Sequence, residues 1–276
     1  MGDSFTFGLG VNDQDTFVHL LNARHSGSDR YLDFSIPGFS TDQKYLLLRE
    51  TAFPFLPDAI GLVVYLGNDL FDNELSFPLQ AENVKPYYEQ TTEGLALRHS
   101  PVPMTRKPAA LNRITLTTTV LGDSGTTGNA TIRFLNRSAL FRLLRLNPHE
   151  EEDLIVLFEK RFEPKLHFFF GIIDKIRGIC AQKNVELSLI LMPGKSFIQR
   201  PSSISARFQD YLRKEIVNEG RKIKMHVIDL ADRLRSQHNA QPGEWFYPNE
   251  GHLTVNGHRI VANILEKHLP TRQSRN

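Results

Sequence analysis

Apolar and polar positions along this chain alternate between two rhythms. Phe17, Val18, Leu20 and Leu21 recur at helical spacing across 15–23. Tyr31 to Ile36 alternates as a strand does, and Pro37-Gly38 then turns the chain. Ser40 reads as the N-cap of a helix through Tyr45, Leu46 and Leu48, broken at Pro54 and Pro57. Ile60 to Leu66 is continuously apolar, the pattern of a strand buried on both faces. It stops at Gly67-Asn68-Asp69.

The rhythm changes between about Asn73 and Leu146. Prolines recur there, Thr115, Thr117, Thr118 and Thr119 cluster, and helical periodicity is weak. This stretch is expected to be an irregular and β insertion within one domain spanning 1–276, not a second folding unit. Asn147-Pro148 is then expected to start a helix with Glu150, Glu151, Glu152 and Asp153 at the positive end of its dipole. Pro164 is expected to separate it from a second helix, Lys165 to Lys183. Further strands are expected at Val185–Met192 and Lys224–Leu230. Helices are expected at Ser203–Glu219, ending at Gly220, and at Val255–Leu269. Strands alternating with crossover-length helices predict an α/β fold: a three-layer α/β/α sandwich around a short parallel sheet.

Composition narrows the function classes. The 276 residues are 40% hydrophobic and 23% charged, enough for a full core. A net charge of +2 gives no case for nucleic acid or an anionic membrane surface. No apolar run reaches the ~20 residues of a membrane span, and no signal-peptide pattern opens the chain. Cys180 is the one cysteine and lies among Ile172, Ile173, Ile176 and Ile179, so it reads as core. No cluster has metal-ligand spacing, so no metal or other cofactor is expected. Oligomeric state is not legible.

Candidate chemistry sits at the two ends. Gly2-Asp3-Ser4 places a hydroxyl where a strand would turn into a helix, beside backbone N–H groups able to hold negative charge. Only Met1 precedes it, so the first strand is expected to be missing. Localisation stays open for the same reason, with the cytoplasm as default. Gly122-Asp123-Ser124-Gly125 repeats the tripeptide, but in a Gly/Thr-rich stretch that reads as a turn. Gly38 and Gly67-Asn68-Asp69 end strands at carboxyl edges, where such sheets bind ligands. Asn68 offers an amide N–H₂ to an oxyanion. Among ten histidines, His252 lies in a loop before the last helix, whereas His258 falls inside it and reads as packing. Glu250 is the nearest carboxylate to His252 and Asn249 the nearest amide.

Taken in order, Gly2-Asp3-Ser4-Phe5-Thr6-Phe7-Gly8, Ile36-Pro37-Gly38-Phe39-Ser40-Thr41, Gly67-Asn68-Asp69 and Gly251-His252-Leu253 with Gly257-His258 resemble the blocks of the SGNH (GDSL-type) hydrolases. The resemblance spans Gly2 to about Leu269. It implies a flavodoxin-like fold, Ser4 as nucleophile, His252 as general base, and an oxyanion hole from the Ser4 and Gly38 N–H groups and the Asn68 amide. The family places an aspartate three residues before the histidine, where this chain has Asn249. Glu250 as the acid, Asn249 as a neutral orienter, and a Ser–His dyad all remain open.

The resulting expectation is a serine esterase forming an acyl-enzyme on Ser4. Its substrate is a small-molecule or carbohydrate ester, such as an O-acylated sugar. An O-acyltransferase using the same site and a non-catalytic glycan-binding relative are the alternatives. Asn129-Ala130-Thr131 and Asn136-Arg137-Ser138 match glycosylation acceptors, a common chance pattern.

Overall fold

Two residues at the start of the chain do the work of a strand. In the computed structural model, which describes residues 1–25, 29–73, 75–78, 82–106 and 151–270, Met1 N donates to Gly61 O (2.8 Å) and Val63 N donates to Met1 O (2.9 Å). On the other side Gly2 N donates to Phe34 O (3.3 Å) and Ile36 N to Gly2 O (3.2 Å), forming a parallel bridge between Gly2 and Ser35. The expected strand over 31–36 is therefore reduced to that bridge. Its neighbour supplies too few residues to extend a ladder.

Next comes α1 (Ser4–Phe7), capped by the Asp3 side chain accepting from Phe5 N (3.0 Å). Then follow α2 (Phe17–Arg24), with Thr16 as N-cap, and α3 (Thr41–Leu47), with a Ser40/Gln43 capping box. The parallel sheet is β1 (Ala59–Tyr65), β4 (Glu186–Met192) and β5 (His226–Ile228), in that order. Ala59 pairs with Glu186 and Ser188 with His226. Between β1 and β4 the chain forms α4 (Asp69–Asp72) and an antiparallel hairpin, β2 (Tyr87–Thr91) with β3 (Gly94–Arg98). Residues 107–146 of the expected insertion, and 147–150 after it, lie outside the described residues. With them go Gly122-Asp123-Ser124-Gly125, the clustered threonines, both glycosylation triplets and the Asn147-Pro148 helix start.

The long helix α5 (Glu151–Gln182) corrects one expectation, since Pro164 lies inside it rather than between two helices. Phe158, Phe162, Leu166, Phe169, Ile172, Ile173 and Ile176 form one buried stripe that continues across the proline. Burial of that stripe outweighs the roughly 3 kcal/mol an interior proline costs. A second correction concerns α7 (Ile204–Lys222), which follows α6 (Lys195–Gln199) and runs through Gly220 instead of stopping there. A Cβ at Gly220 would come within 2.5 Å of Val227 on β5, so this glycine serves helix–strand packing and not termination. The remaining helices are α8 (Leu230–Ala240) and α9 (Val255–Leu265). Helix α9 contacts α2 and α8 in one group, and α5 contacts α3 and α7 in another. The core between them includes Leu62, Val64, Leu189 and Leu191. Cys180 is buried there, and burial pushes its thiol up to about 11. Among the described residues no helix is long and apolar enough to cross a membrane.

Candidate active site

The carboxyl edge of the sheet gathers four loops. Ser4 opens α1, directly after the Met1–Gly2 pairing that anchors it to β1. A Cβ at Gly2 would sit 1.9 Å from Thr6 Oγ1, so only glycine lets the chain turn this tightly into α1. Gly38 lies in the turn after the Gly2–Ser35 bridge. Its φ of +80° explains the glycine, since a Cβ there would meet nothing within 4 Å. Its N–H has no hydrogen-bond acceptor among the described residues. Asn68 follows β1 and starts α4.

His252 arrives on a loop pinned on several sides. Phe246 and Leu253 form an antiparallel bridge, Tyr247 N donates to His252 O (2.8 Å), and Gly251 N donates to Tyr247 O (3.2 Å). Thr254 caps α9 by accepting from Gly257 N (3.1 Å). At Gly257 a Cβ would lie 2.2 Å from Trp245 O, so the helix start and the loop touch backbone to backbone.

These loops bring the two ends of the chain together. His252 Nε2 is 2.7 Å from Ser4 Oγ, across 248 residues of sequence. His252 Nδ1 is hydrogen-bonded to Glu250 Oε1. Asn249 is exposed on the preceding turn, and the Nδ1 partner is Glu250. The imidazole packs on the Phe5 ring (4.9 Å between centroids), which packs in turn on Tyr65 (4.4 Å). A cavity of about 200 Å³ is lined by Ser4, Gly38, Asn68, Lys195, Glu250 and His252, among others. A larger cavity of about 520 Å³ opens at the amino end of β1, around Met1, Phe34, Ala59 and Gly61, and contains neither Ser4 nor His252. Open parallel sheets bind ligands at the carboxyl ends of their strands, which favours the smaller cavity as the reaction site.

His258 is elsewhere in role. It is buried, its Nδ1 accepts from Phe17 N (3.3 Å), and its ring stacks on Phe17. Burial lowers its pKa to about 4, so it is neutral at pH 7.

Behind Asn68 lies a buried charged cluster absent from the sequence-based reading. Lys44 Nζ is fully buried and donates to Asp69 Oδ2 (2.5 Å) and Val63 O (2.9 Å). Asp69 Oδ2 also accepts from Tyr65 N (3.1 Å). Burial pushes the Asp69 carboxyl up and the adjacent Lys44 ammonium pulls it back. Lys85, also buried, donates to Asp42 Oδ2 (2.6 Å) and Ser40 Oγ (3.1 Å). The signal for Lys44 was its spacing, three residues after Thr41 in α3 and four before Leu48 just past its end, with all three buried. Lys195 was also missed. It starts α6 beyond β4 and donates to Tyr247 O (3.1 Å) and Pro248 O (2.6 Å), tying α6 to the His252 loop. Among the described residues no three His, Cys, Asp or Glu side chains converge as metal ligands.

No protein-family model matches this sequence, and no curated protein does. Solved structures do match. Two catalytic mutants of an acetylxylan esterase from Geobacillus stearothermophilus align with TM-scores of 0.51 and 0.50, each at 9% identity. The alignments cover 100% and 97% of this chain and 94% and 90% of theirs. A member of the lipolytic protein G-D-S-L family from Veillonella parvula aligns at a TM-score of 0.45 and 10% identity, over 97% of this chain and 94% of that one. At such identities the likeness is one of fold. The chain has the SGNH hydrolase fold, a short parallel sheet flanked by helices.

Proposed function

We propose that this chain is a serine ester hydrolase of the SGNH type. The observation that carries the proposal is the 2.7 Å contact between Ser4 Oγ and His252 Nε2, with Glu250 on the other imidazole nitrogen. A serine hydroxyl needs a base to become a nucleophile, and the base needs a partner that fixes its tautomer and supports its positive charge. In the forward step His252 Nε2 takes the Ser4 proton while Oγ attacks the ester carbonyl carbon. The oxyanion is received by the Ser4 and Gly38 N–H groups and the Asn68 amide. Collapse expels the alcohol, protonated by His252, and leaves the acyl group on Oγ. Water, deprotonated by His252, then releases the acid.

The finer substrate reading rests on the cavity. About 200 Å³ of space bounded by polar groups suits a short acyl chain better than a fatty one. The structural neighbours include an acetylxylan esterase, and an O-acetylated carbohydrate fits both considerations.

Hydrolysis of p-nitrophenyl acetate by the wild type and by Ser4→Ala tests the reaction. Activity should disappear with the hydroxyl, and equal rates in the two proteins would overturn the proposal. A series from acetate to octanoate tests the acyl preference, with kcat/KM expected to fall as the chain lengthens.

A further inference from the structure

Asn68 is buried, and its two amide atoms are treated differently by the fold. The nitrogen Nδ2 donates to Asp72 Oδ2 (2.9 Å), one turn along α4. The oxygen Oδ1 is buried and has no hydrogen-bond partner among the described residues. The orientation of this amide is therefore set from its nitrogen end alone. A carboxylate accepts and does not donate, so Asp72 rejects the flipped amide, in which two oxygens would face each other. The N–H₂ carries two protons, and Asp72 takes one. The other has no acceptor among the described residues, and Asn68 lines the same cavity as Ser4 and His252.

We propose that Asp72 is a positioning residue for the reaction: it locks the Asn68 amide with nitrogen, not oxygen, toward the developing oxyanion. This deepens the hydrolase reading and rests on it. A flipped Asn68 would present a lone pair to the oxyanion, turning a stabilising donor into a repulsive acceptor. The buried cations keep this arrangement from crowding the site with negative charge. Lys85 is close enough to Asp72 and Asp69 to feel both, and Lys44 pairs with Asp69 directly. Asp72 itself is 1% exposed, so bulk water does not screen its influence on the amide.

The experiment is a mutant cycle read by steady-state kinetics on p-nitrophenyl acetate. Asp72→Asn preserves the shape but can donate as well as accept, so it tolerates both amide orientations. It should lower kcat by about 3- to 30-fold with KM changed less than twofold, a fraction of the loss from Asn68→Ala. In the Asn68→Ala background, Asp72→Asn should change kcat less than twofold, because nothing remains to orient. A residue that only supports the fold would show its full loss in both backgrounds, and that result overturns the proposal. A loss confined to KM, or no loss in the single variant, also overturns it. Should Asp72→Asn fail to fold, Asp72→Glu in the same cycle is expected to keep the acceptor and retain more activity in the Asn68 background than in no-acceptor Asp72→Ala; equal activity of the two contradicts the lock. Ser4→Ala run in parallel separates the two claims, since activity surviving there defeats the hydrolase reading, whatever Asp72 does.

Discussion

Lys44 and Asp69 form an ion pair with essentially no solvent exposure, 2.5 Å apart beneath the loop that carries Asn68. Removing one partner of such a pair leaves an uncompensated buried charge, which costs about 3–5 kcal/mol. Lys44→Met should therefore destabilise the protein by that order, measured by urea unfolding. Adding Asp69→Asn to Lys44→Met removes the stranded charge and should recover part of the loss. The amide can still accept from Tyr65 N, which Asp69 does now. Destabilisation that simply adds in the double variant would contradict this account of the pair.

The identity of the acid yields a sharper kinetic expectation. Glu250 reaches His252 Nδ1, while Asn249 is exposed and does not. Glu250→Ala should reduce kcat by about 10²-fold, at the low end of what acid–base partners contribute. The low end is expected because the Glu250 side chain is 48% exposed and water can partly substitute for it. Asn249→Ala should leave kcat within about twofold, as an exposed turn residue. The reverse ranking in a paired kcat measurement would move the orienting role to the amide.

Lys195 acts on the same loop from the opposite side. Two carbonyls, Tyr247 O and Pro248 O, accept from its ammonium. Lys195→Met keeps the aliphatic length and removes both bonds. Loosening the loop displaces His252 from Ser4, and a displacement near 1 Å is enough to cost about 10²-fold in rate. The expected result is a lower kcat together with faster amide hydrogen exchange over 247–252. Unchanged exchange with a lowered rate would mean that Lys195 acts on substrate and not on the loop.

Much of the scaffold was legible because burial leaves a plain trace in sequence. Ile60–Leu66 is a continuous apolar run, and Val185–Met192 is apolar except at Glu186 and Ser188; they appear as β1 and β4 shifted by at most a residue. Ser4, Gly38, Asn68 and His252 were legible as an ordered set, and the fold brings all four to one cavity. What stayed hidden depends on partners distant in sequence. Nothing local about Met1-Gly2 announces a two-residue strand, because the bonds that define it come from Phe34, Ile36, Gly61 and Val63. Which of Glu250 and Asn249 meets His252 Nδ1 depends on side-chain reach, which spacing does not encode. Lys44 shares a face with Thr41 and Leu48, but its counter-charge, Asp69, lies 25 residues on. Pro164 misled for the converse reason: a strong local rule was overridden by a long apolar stripe.

His258 makes stability depend on pH. Burial holds its imidazole at about 4, against 6.5 for the free group, with Asp15 opposing that shift and His252 adding to it. The unfolded chain therefore binds a proton at this position at higher pH than the folded one. Its contribution is complete above pH 6.5, declines as pH falls from 6.5 to 4, and changes no further below 4. The whole decline amounts to about 3 kcal/mol, from 2.5 pH units at 1.36 kcal/mol each. His258→Asn offers an oxygen to Phe17 N in place of Nδ1 and does not titrate. Urea midpoints measured between pH 7 and pH 4 should fall for the wild type and fall less steeply, by that amount, for His258→Asn. Parallel declines in the two proteins would assign the acid sensitivity to other groups.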